Sequence, residues 1–300
     1  MTSFMRTLAA SLLFAFAVTV AVAEPKPQQG AAQRENEANA AFEAAIKASL
    51  MGPQPIPLID QATLKLPTGY RFVPKSEGAR LMRALGNSTG AQFVGLVVPS
   101  QEVNWFATLD YVDAGYVKDD DAKKWNADDL LKSLREGTEA ANADREARGF
   151  PPIEVIGWVE PPAYSADTHR LVWAAELRRK GQTSGGSVNY NTYALGREGY
   201  FELNMVGSGE VIVKEKGRAR ELIAALEYNS GKSYADFNPS TDKVAAYGLA
   251  ALVAGAAAKK LGLLAAIGVF FAKFAKVILV AGAALLALVA KLFGRRGKTE

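Results

Sequence analysis

Residues 170–206 read RLVWAAELRRKGQTSGGSVNYNTYALGREGYFELNMV. Three β-type runs lie within them, Arg170–Arg178, Val188–Leu195 and Tyr200–Val206. In the first, Leu171, Trp173, Ala175 and Leu177 alternate with Arg170, Val172, Ala174 and Glu176, which is the period of two of a strand with unlike faces. Gly196-Arg197-Glu198-Gly199 joins the last two runs as a hairpin loop. Ile153–Glu160 is a fourth run just upstream. Strands that follow one another with short turns between them pair antiparallel, and this stretch therefore predicts a mostly antiparallel sheet.

Further upstream, strands and helices alternate. Ala62, Leu64 and Leu66 alternate with polar neighbours, and Phe93–Val98 and Trp105–Tyr111 are strand-like. Ser76 is placed to cap a short helix carrying Leu81, Met82 and Leu85. Asn126 is placed to cap a long helix from about Ala127 to Arg148, with Asp128 and Asp129 in the first turn, where carboxylates favour the helix dipole. Nearer the N-terminus, Ala38, Phe42, Ile46 and Leu50 fall four apart and predict a helix over 31–51, ended by Gly52-Pro53. Pro53, Pro55 and Pro57 predict an extended connector. Downstream, Leu222, Ile223 and Leu226 predict a helix over 218–228. The fold class is α+β, a mostly antiparallel sheet with flanking helices.

The two ends of the chain differ in kind from this middle. Arg6, the apolar Leu8–Val20 and Ala21-Val22-Ala23 match a secretory signal with cleavage after Ala23. From Val244 to Phe293 there is no Asp, Glu or Pro, and three apolar runs occur, Val244–Ala258, Leu261–Ala272 and Val277–Ala290. The third is bracketed by Lys273 and Lys276 on one side and Arg295, Arg296 and Lys298 on the other, so the best membrane span is about 274–293. Residues 244–272 suit either a hairpin partner or an interfacial helix, with Gly248, Gly255 and Gly262 recurring every seven residues as a face for close helix packing. The predicted organisation is a signal at 1–23, a linker and helix at 24–56, an extracytoplasmic domain at 57–243, a membrane anchor at 244–293 and a basic tail at 294–300.

Charge follows the same partition. The whole chain carries +4, but residues 24–243 hold 26 Lys/Arg and 30 Asp/Glu and the basic excess sits at the C-terminus. Scattered cations in an acidic domain argue against nucleic acid. The C-terminal Arg/Lys cluster prefers the cytoplasm, which with a cleaved signal favours a single span. The expected address is a bacterial inner membrane with the domain in the periplasm. The expected contacts are membrane lipids, and an envelope protein or a second copy of the chain. With no cysteine and one histidine, thiolate chemistry and multi-histidine metal sites are excluded.

Few constellations carry chemistry. Asp119-Asp120-Asp121 with Asp128-Asp129 is the densest acidic patch, but counted from Asp119 the calcium-loop glycine position is Lys124 and the last ligand position is Leu130, so no metal is expected. Ser165, Asp167 and His169 invite a triad reading, without a nucleophile elbow to support it. Pro161-Pro162 followed by Ser165-Ala166-Asp167 predicts a turn with His169 at the entry to the next strand. Glu160 and Glu176 on adjacent strands admit a carboxylate-pair hydrolase. Trp105, Trp125, Trp158 and Trp173 with Tyr190 and Tyr193 are core or sheet-face types. No cofactor is expected. Low-specificity binding candidates are Asp120, Asp121, Glu160, His169, Arg170, Asp236 and Asn238.

Several segments together resemble a known family. These are Gly115-Tyr116-Val117-Lys118-Asp119-Asp120-Asp121-Ala122, then Gly157-Trp158-Val159-Glu160-Pro161-Pro162 with Tyr164 and Thr168-His169-Arg170-Leu171, then Asn189-Tyr190-Asn191 and Leu195-Gly196-Arg197. The most specific is Tyr234–Gly248, which reads YADFNPSTDKVAAYG. The chain resembles the DUF2167 family of uncharacterised, membrane-anchored bacterial proteins over about Pro57 to Phe293. The resemblance implies a secreted domain held to a membrane by its C-terminus, and implies no activity. Where that family often has Tyr-Asp after the Pro-Pro pair, this chain has Tyr164-Ser165. Three readings follow: a binding or structural envelope component, a membrane-tethered hydrolase using carboxylates, and an assembly element that oligomerises through its glycine face.

Overall fold

The computed structural model of the chain describes residues 27–254 other than Gly86, Ser88, Glu102 and Arg148. The signal with its cleavage site, the spans expected beyond residue 254, Gly255, Gly262 and the basic tail all lie outside the described residues.

The elements run α1 (Pro27–Ala48), β1 (Leu50–Met51), β2 (Gln54–Leu58), β3 (Ala62–Leu66), β4 (Tyr70–Pro74), α2 (Lys75–Ala84), β5 (Phe93–Pro99), β6 (Trp105–Val112), a 3₁₀ turn (Asp120–Lys123), α3 (Ala127–Ala147), β7 (Ile153–Ser165), β8 (Arg170–Arg179), β9 (Ser187–Leu195), β10 (Tyr200–Ser208), α4 (Gly209–Ala224), β11 (Leu226–Tyr228), a second 3₁₀ turn (Tyr234–Asp236) and α5 (Ala250–Ala254). Eight strands form one antiparallel sheet in the order β1-β4-β5-β6-β10-β9-β8-β7, and β11-β3-β2 form a small second sheet. The strands of residues 170–206 are neighbours there, β8 beside β9 and β9 beside β10.

Alternation along each strand divides the large sheet into two faces. One face, with Ala107, Leu109, Tyr190, Phe201, Leu203 and Met205, packs against α4 and the small sheet in the main core. The other is covered at its two ends. Ala41 and Ala45 of α1 and Leu81 and Met82 of α2 lie over Phe93 and Leu96 of β5, while Leu130 of α3 and Leu249, Leu252 and Val253 lie over Leu171, Trp173 and Tyr193. Asn126 caps α3 as its sequence predicts, its Oδ1 accepting from the backbone N–H of Asp128 and Asp129 at 2.8 and 3.2 Å.

The departures have identifiable causes. Leu50 ends no helical stripe, because α1 stops at Ala48 and Leu50 pairs with Phe72 across β1 and β4. The proline connector is the edge strand β2, which tolerates Pro55 and Pro57 because it pairs on one side only, with β3. Pro161-Pro162 makes no turn. Edge strand β7 runs through both prolines to Ser165, its register with β8 shifting between Glu160 and Ala163. The turn comes at Ala166–His169. Helix α4 begins at Gly209, well before the expected 218, and Leu226 has left it for β11. The β-branched Val211, Ile212 and Val213 hide that start, and burial of Ile212 overrides their propensity.

The described part of the first apolar run also differs from expectation. Val244 forms a parallel bridge with Tyr116, and Leu249, Leu252 and Val253 are buried in the domain core. Gly248 precedes α5 and is not itself helical. A Cβ there would stand 2.5 Å from Asp121 Oδ2. No helix among the described residues is long and apolar enough to cross a membrane.

Candidate functional site

Four of the resemblance segments, around 115–122, 164–169, 195–197 and 234–248, are distant in sequence and meet at one end of the β8–β10 sheet. Gly115, at φ +83°, turns the chain after β6 so that Tyr116 lies beside Lys243 and Val244. Tyr116 N–H donates to Lys243 O, and Ala245 N–H donates back to Tyr116 O, both at 2.8 Å. The Tyr116 ring stacks on Phe237 at 3.8 Å and on Tyr234 at 4.3 Å between centroids. His169 lies against the other partner of that stack, 4.2 Å from Tyr234, and the Tyr234 hydroxyl donates to Val117 O at 2.9 Å.

His169 is the residue at φ 50° that closes the β7–β8 turn. Its Nδ1 stands 3.1 Å from the Tyr164 hydroxyl, which donates to Asp119 Oδ2 at 2.8 Å. Since the hydroxyl proton goes to Asp119, the imidazole proton sits on Nδ1. Burial, followed by the hydrogen bond to Asp119, pushes the Tyr164 phenol up. Burial also depresses His169, the Asp119 charge opposing it and Arg170 reinforcing it. Tyr164 is therefore a fixed donor and His169 a neutral ring. No serine joins them, because the Ser165 hydroxyl accepts from Thr168. This is an Asp–Tyr–His chain without a nucleophile, and it does not make the triad.

Three more contacts hold the segment 234–250. Arg197, in the β9–β10 hairpin, donates Nε and Nη2 to Asp242 Oδ2 and Oδ1 at 2.6 and 2.8 Å, a bidentate pair. Arg197 and the Asn238 backbone N–H hold the Asp242 carboxyl well below the usual carboxylate range. Asp121 accepts from the backbone N–H groups of Leu249 and Ala250 at 3.1 and 3.0 Å, capping α5. Asp236 closes a capping box with Ser233, whose N–H and hydroxyl donate to it at 2.9 and 2.6 Å.

The predicted residues therefore separate. Asp121, His169 and Asp236 belong to this latch. Asn238 is a turn residue within it, accepting from Ser240 N–H at 3.0 Å. Asp120 is exposed on the 3₁₀ turn. Arg170 points to the opposite face, where its Nη2 donates to Leu226 O at 2.8 Å. Asp119, Tyr164, Tyr116, Tyr234, Arg197 and Asp242 were not among the binding candidates. Each lies in or beside a resemblance segment, which was the available signal.

Glu160 forms a separate cluster on the α4 side. Arg220 pairs closely with it, Lys216 lies at 3.3 Å, and the Tyr190 hydroxyl donates to it at 3.2 Å. Burial raises the Glu160 carboxyl, but Arg220 and Lys216 outweigh burial and the net shift is downward. Glu160 is thus an ion-paired carboxylate at neutral pH, unsuited to donate a proton. Glu176 is committed to Arg178 at 2.7 Å, and the two glutamates share no partner.

Compared with known proteins, the chain matches the family described as protein of unknown function (DUF2167) over residues 51–283. Curated proteins give no match. Among solved structures it is distantly similar to the solution structure of cyanobacterial PsbP (CyanoP) from Synechocystis sp. PCC 6803, at 8% identity and a TM-score of 0.35, over 60% of this chain and 91% of that one.

Proposed function

The chain belongs to DUF2167, a family of proteins of unknown function, and on that premise we propose that it is a membrane-anchored envelope component that binds rather than catalyses. Its folded domain stands outside the cytoplasm of a bacterium, and the apolar residues after 254 hold it to the inner membrane. The observation that carries this reading is the latch. Its ring stack, its bidentate ion pair and its helix cap all close on residues 234–250, the stretch that hands the domain to the apolar C-terminus. A domain clamped where it leaves for a membrane keeps a defined orientation to that surface, which suits recognition of a lipid or an envelope partner. Glu160 and Glu176, the carboxylate pair, are each held by cations and offer no unpaired acid for hydrolysis.

The test uses the full chain expressed in a bacterial host with a reporter at Glu300 that is active only outside the cytoplasm. The expected result is sedimentation with membranes, resistance to alkaline carbonate, digestion of the domain from outside in spheroplasts, and a silent reporter. Release by carbonate, or protection of the domain in intact spheroplasts, refutes the reading. An active reporter refutes the single span.

A further inference from the structure

The acidic run 119–121 is less acidic at the surface than it reads in sequence. Asp119 accepts from the Tyr164 hydroxyl at 2.8 Å, and Asp121 accepts from the backbone N–H groups of Leu249 and Ala250. Downstream, Asp242 is gripped by Arg197. Of the carboxylates in 116–124 and 242–250, Asp120 alone is exposed, the others being committed to the latch. The lysines of the same two segments point outward. Lys118, Lys123, Lys124 and Lys243 are all exposed. Elsewhere Lys65, Lys180, Lys216 and Lys232 each pair with a glutamate. Among the described residues these four have no carboxylate partner.

The four lysines share one place because the two segments are clasped together. The bridge between Tyr116 and Val244 sets Lys118 and Lys243 on neighbouring backbone. The cap from Asp121 sets Lys123 and Lys124 beside the first turn of α5. Val244, next to Lys243, is an apolar side chain left 42% exposed. The nearby Asp128 and Asp129 stand in the first turn of α3, where the helix dipole offsets their charge. This surface also lies where the chain leaves the domain. A helix rises about 1.5 Å per residue, so Ala254 lies about 6 Å beyond Ala250. From there the sequence runs on through 255–293 with no Asp or Glu.

We propose that this surface docks on anionic phospholipid headgroups, with Lys118, Lys123, Lys124 and Lys243 on the phosphates and Val244 at the acyl boundary. The inference rests on the membrane anchor proposed above, and adds which face of the domain meets the bilayer and which lipids it prefers. Unpaired lysines beside an exposed apolar side chain complement an anionic interface. Each lysine near such a surface favours the contact about fivefold. Four of them restrain a domain that a single tether leaves free to swing. An acidic protein would meet the same charges, but the apolar stretch begins directly after α5, which brings a bilayer within reach of these long side chains.

The chain has no cysteine, so Asp120→Cys carries a single fluorophore among the lysines. The full chain is reconstituted in vesicles of phosphatidylcholine, and in vesicles in which about a third of the lipid is phosphatidylglycerol, both with a quencher on the headgroups. The expected result is stronger quenching with phosphatidylglycerol, lost at high salt. It is also lost when Lys118, Lys123, Lys124 and Lys243 are all replaced by Gln, reduced by Lys123→Gln with Lys124→Gln, and kept by Lys65→Gln with Lys180→Gln. Equal quenching in the two vesicles, or quenching that survives the fourfold replacement, overturns the inference. No quenching in either leaves the lysines to water or an acidic protein and overturns it too. Carbonate extraction of the same vesicles reads the anchor separately. A carbonate-resistant chain without lipid-dependent quenching overturns this inference alone, and a chain that carbonate releases overturns it together with the anchor.

Discussion

Replacing Asp110 by Asn should make this protein more stable at neutral pH. In the folded chain the carboxyl is raised from 3.8 to about 6, chiefly by burial. A folded-state pKa above the unfolded one means that the native state retains a proton the unfolded state has released. Stability therefore falls as pH rises from about 4 to about 6 and stays lower above that window. A shift of about 2 pH units at 1.36 kcal/mol each is about 3 kcal/mol at pH 7.5. Partial contact with water reduces this to about 1–3 kcal/mol. Asparagine keeps the shape and carries no charge, so the Asp110→Asn chain recovers that amount above pH 6 and almost none at pH 4. For a domain of this size the gain is roughly 3–10 °C in Tm. The assay is thermal unfolding of both full chains by circular dichroism from pH 4 to pH 8. A variant no more stable at pH 7.5, or a gap that stays constant on acidification, would refute the argument that burial at Asp110 outweighs Thr108 and Lys75.

The latch supports three further predictions. Asp121→Ala removes the acceptor of two backbone N–H groups and should cost about 1–2 kcal/mol, seen as faster hydrogen exchange at Leu249 and Ala250; unchanged exchange there would contradict the capping role. Gly115→Ala should cost about 2 kcal/mol or more, because the residue sits at φ +83° and its Cβ would stand 2.6 Å from Lys243 O; a Tm within 2 °C of the parent would count against the strap geometry. His169 is the single histidine of the chain, so its proton resonance needs no assignment. It should titrate below the ordinary 6.5, and lower still in Asp119→Asn, which removes the charge that opposes burial. Because protonation is disfavoured in the folded state, this group makes the protein less stable as pH falls through about 6.5; a midpoint at or above 6.5 overturns the neutral-ring assignment.

How much of this was legible beforehand depended on whether a feature is local. The alternation in Leu171–Leu177 placed one side of β8 against a core, and the Asn126 cap with its two aspartates marked the start of α3 to the residue. Both are properties of adjacent backbone and could be read directly. Helix α4 was misplaced at its start because Val211, Ile212 and Val213 carry strand propensity, and only the packing of Ile212 under the sheet overrules it. Pro161-Pro162 misled because proline forbids a central strand but not an edge, and which strand lies at the edge is decided by the whole sheet. Asp121 was noticed as one of an acidic run, while its use, as a cap on a helix 128 residues away, was not visible in that run.

By itself, the sequence determined the class of fold, the partition of charge between a mildly acidic domain and a basic C-terminus, and the segments that matter to its family. Periodicity, capping chemistry and composition act over a few residues and need no partner. The tertiary structure alone decided that Asp119, Tyr164 and His169 form one chain, that Arg197 grips Asp242, and that Asn204, Asn191 and Trp173 stand in one cross-strand row. A period of two tells which face a side chain takes. Register across neighbouring strands, and the elements packed over them, decide what it meets there.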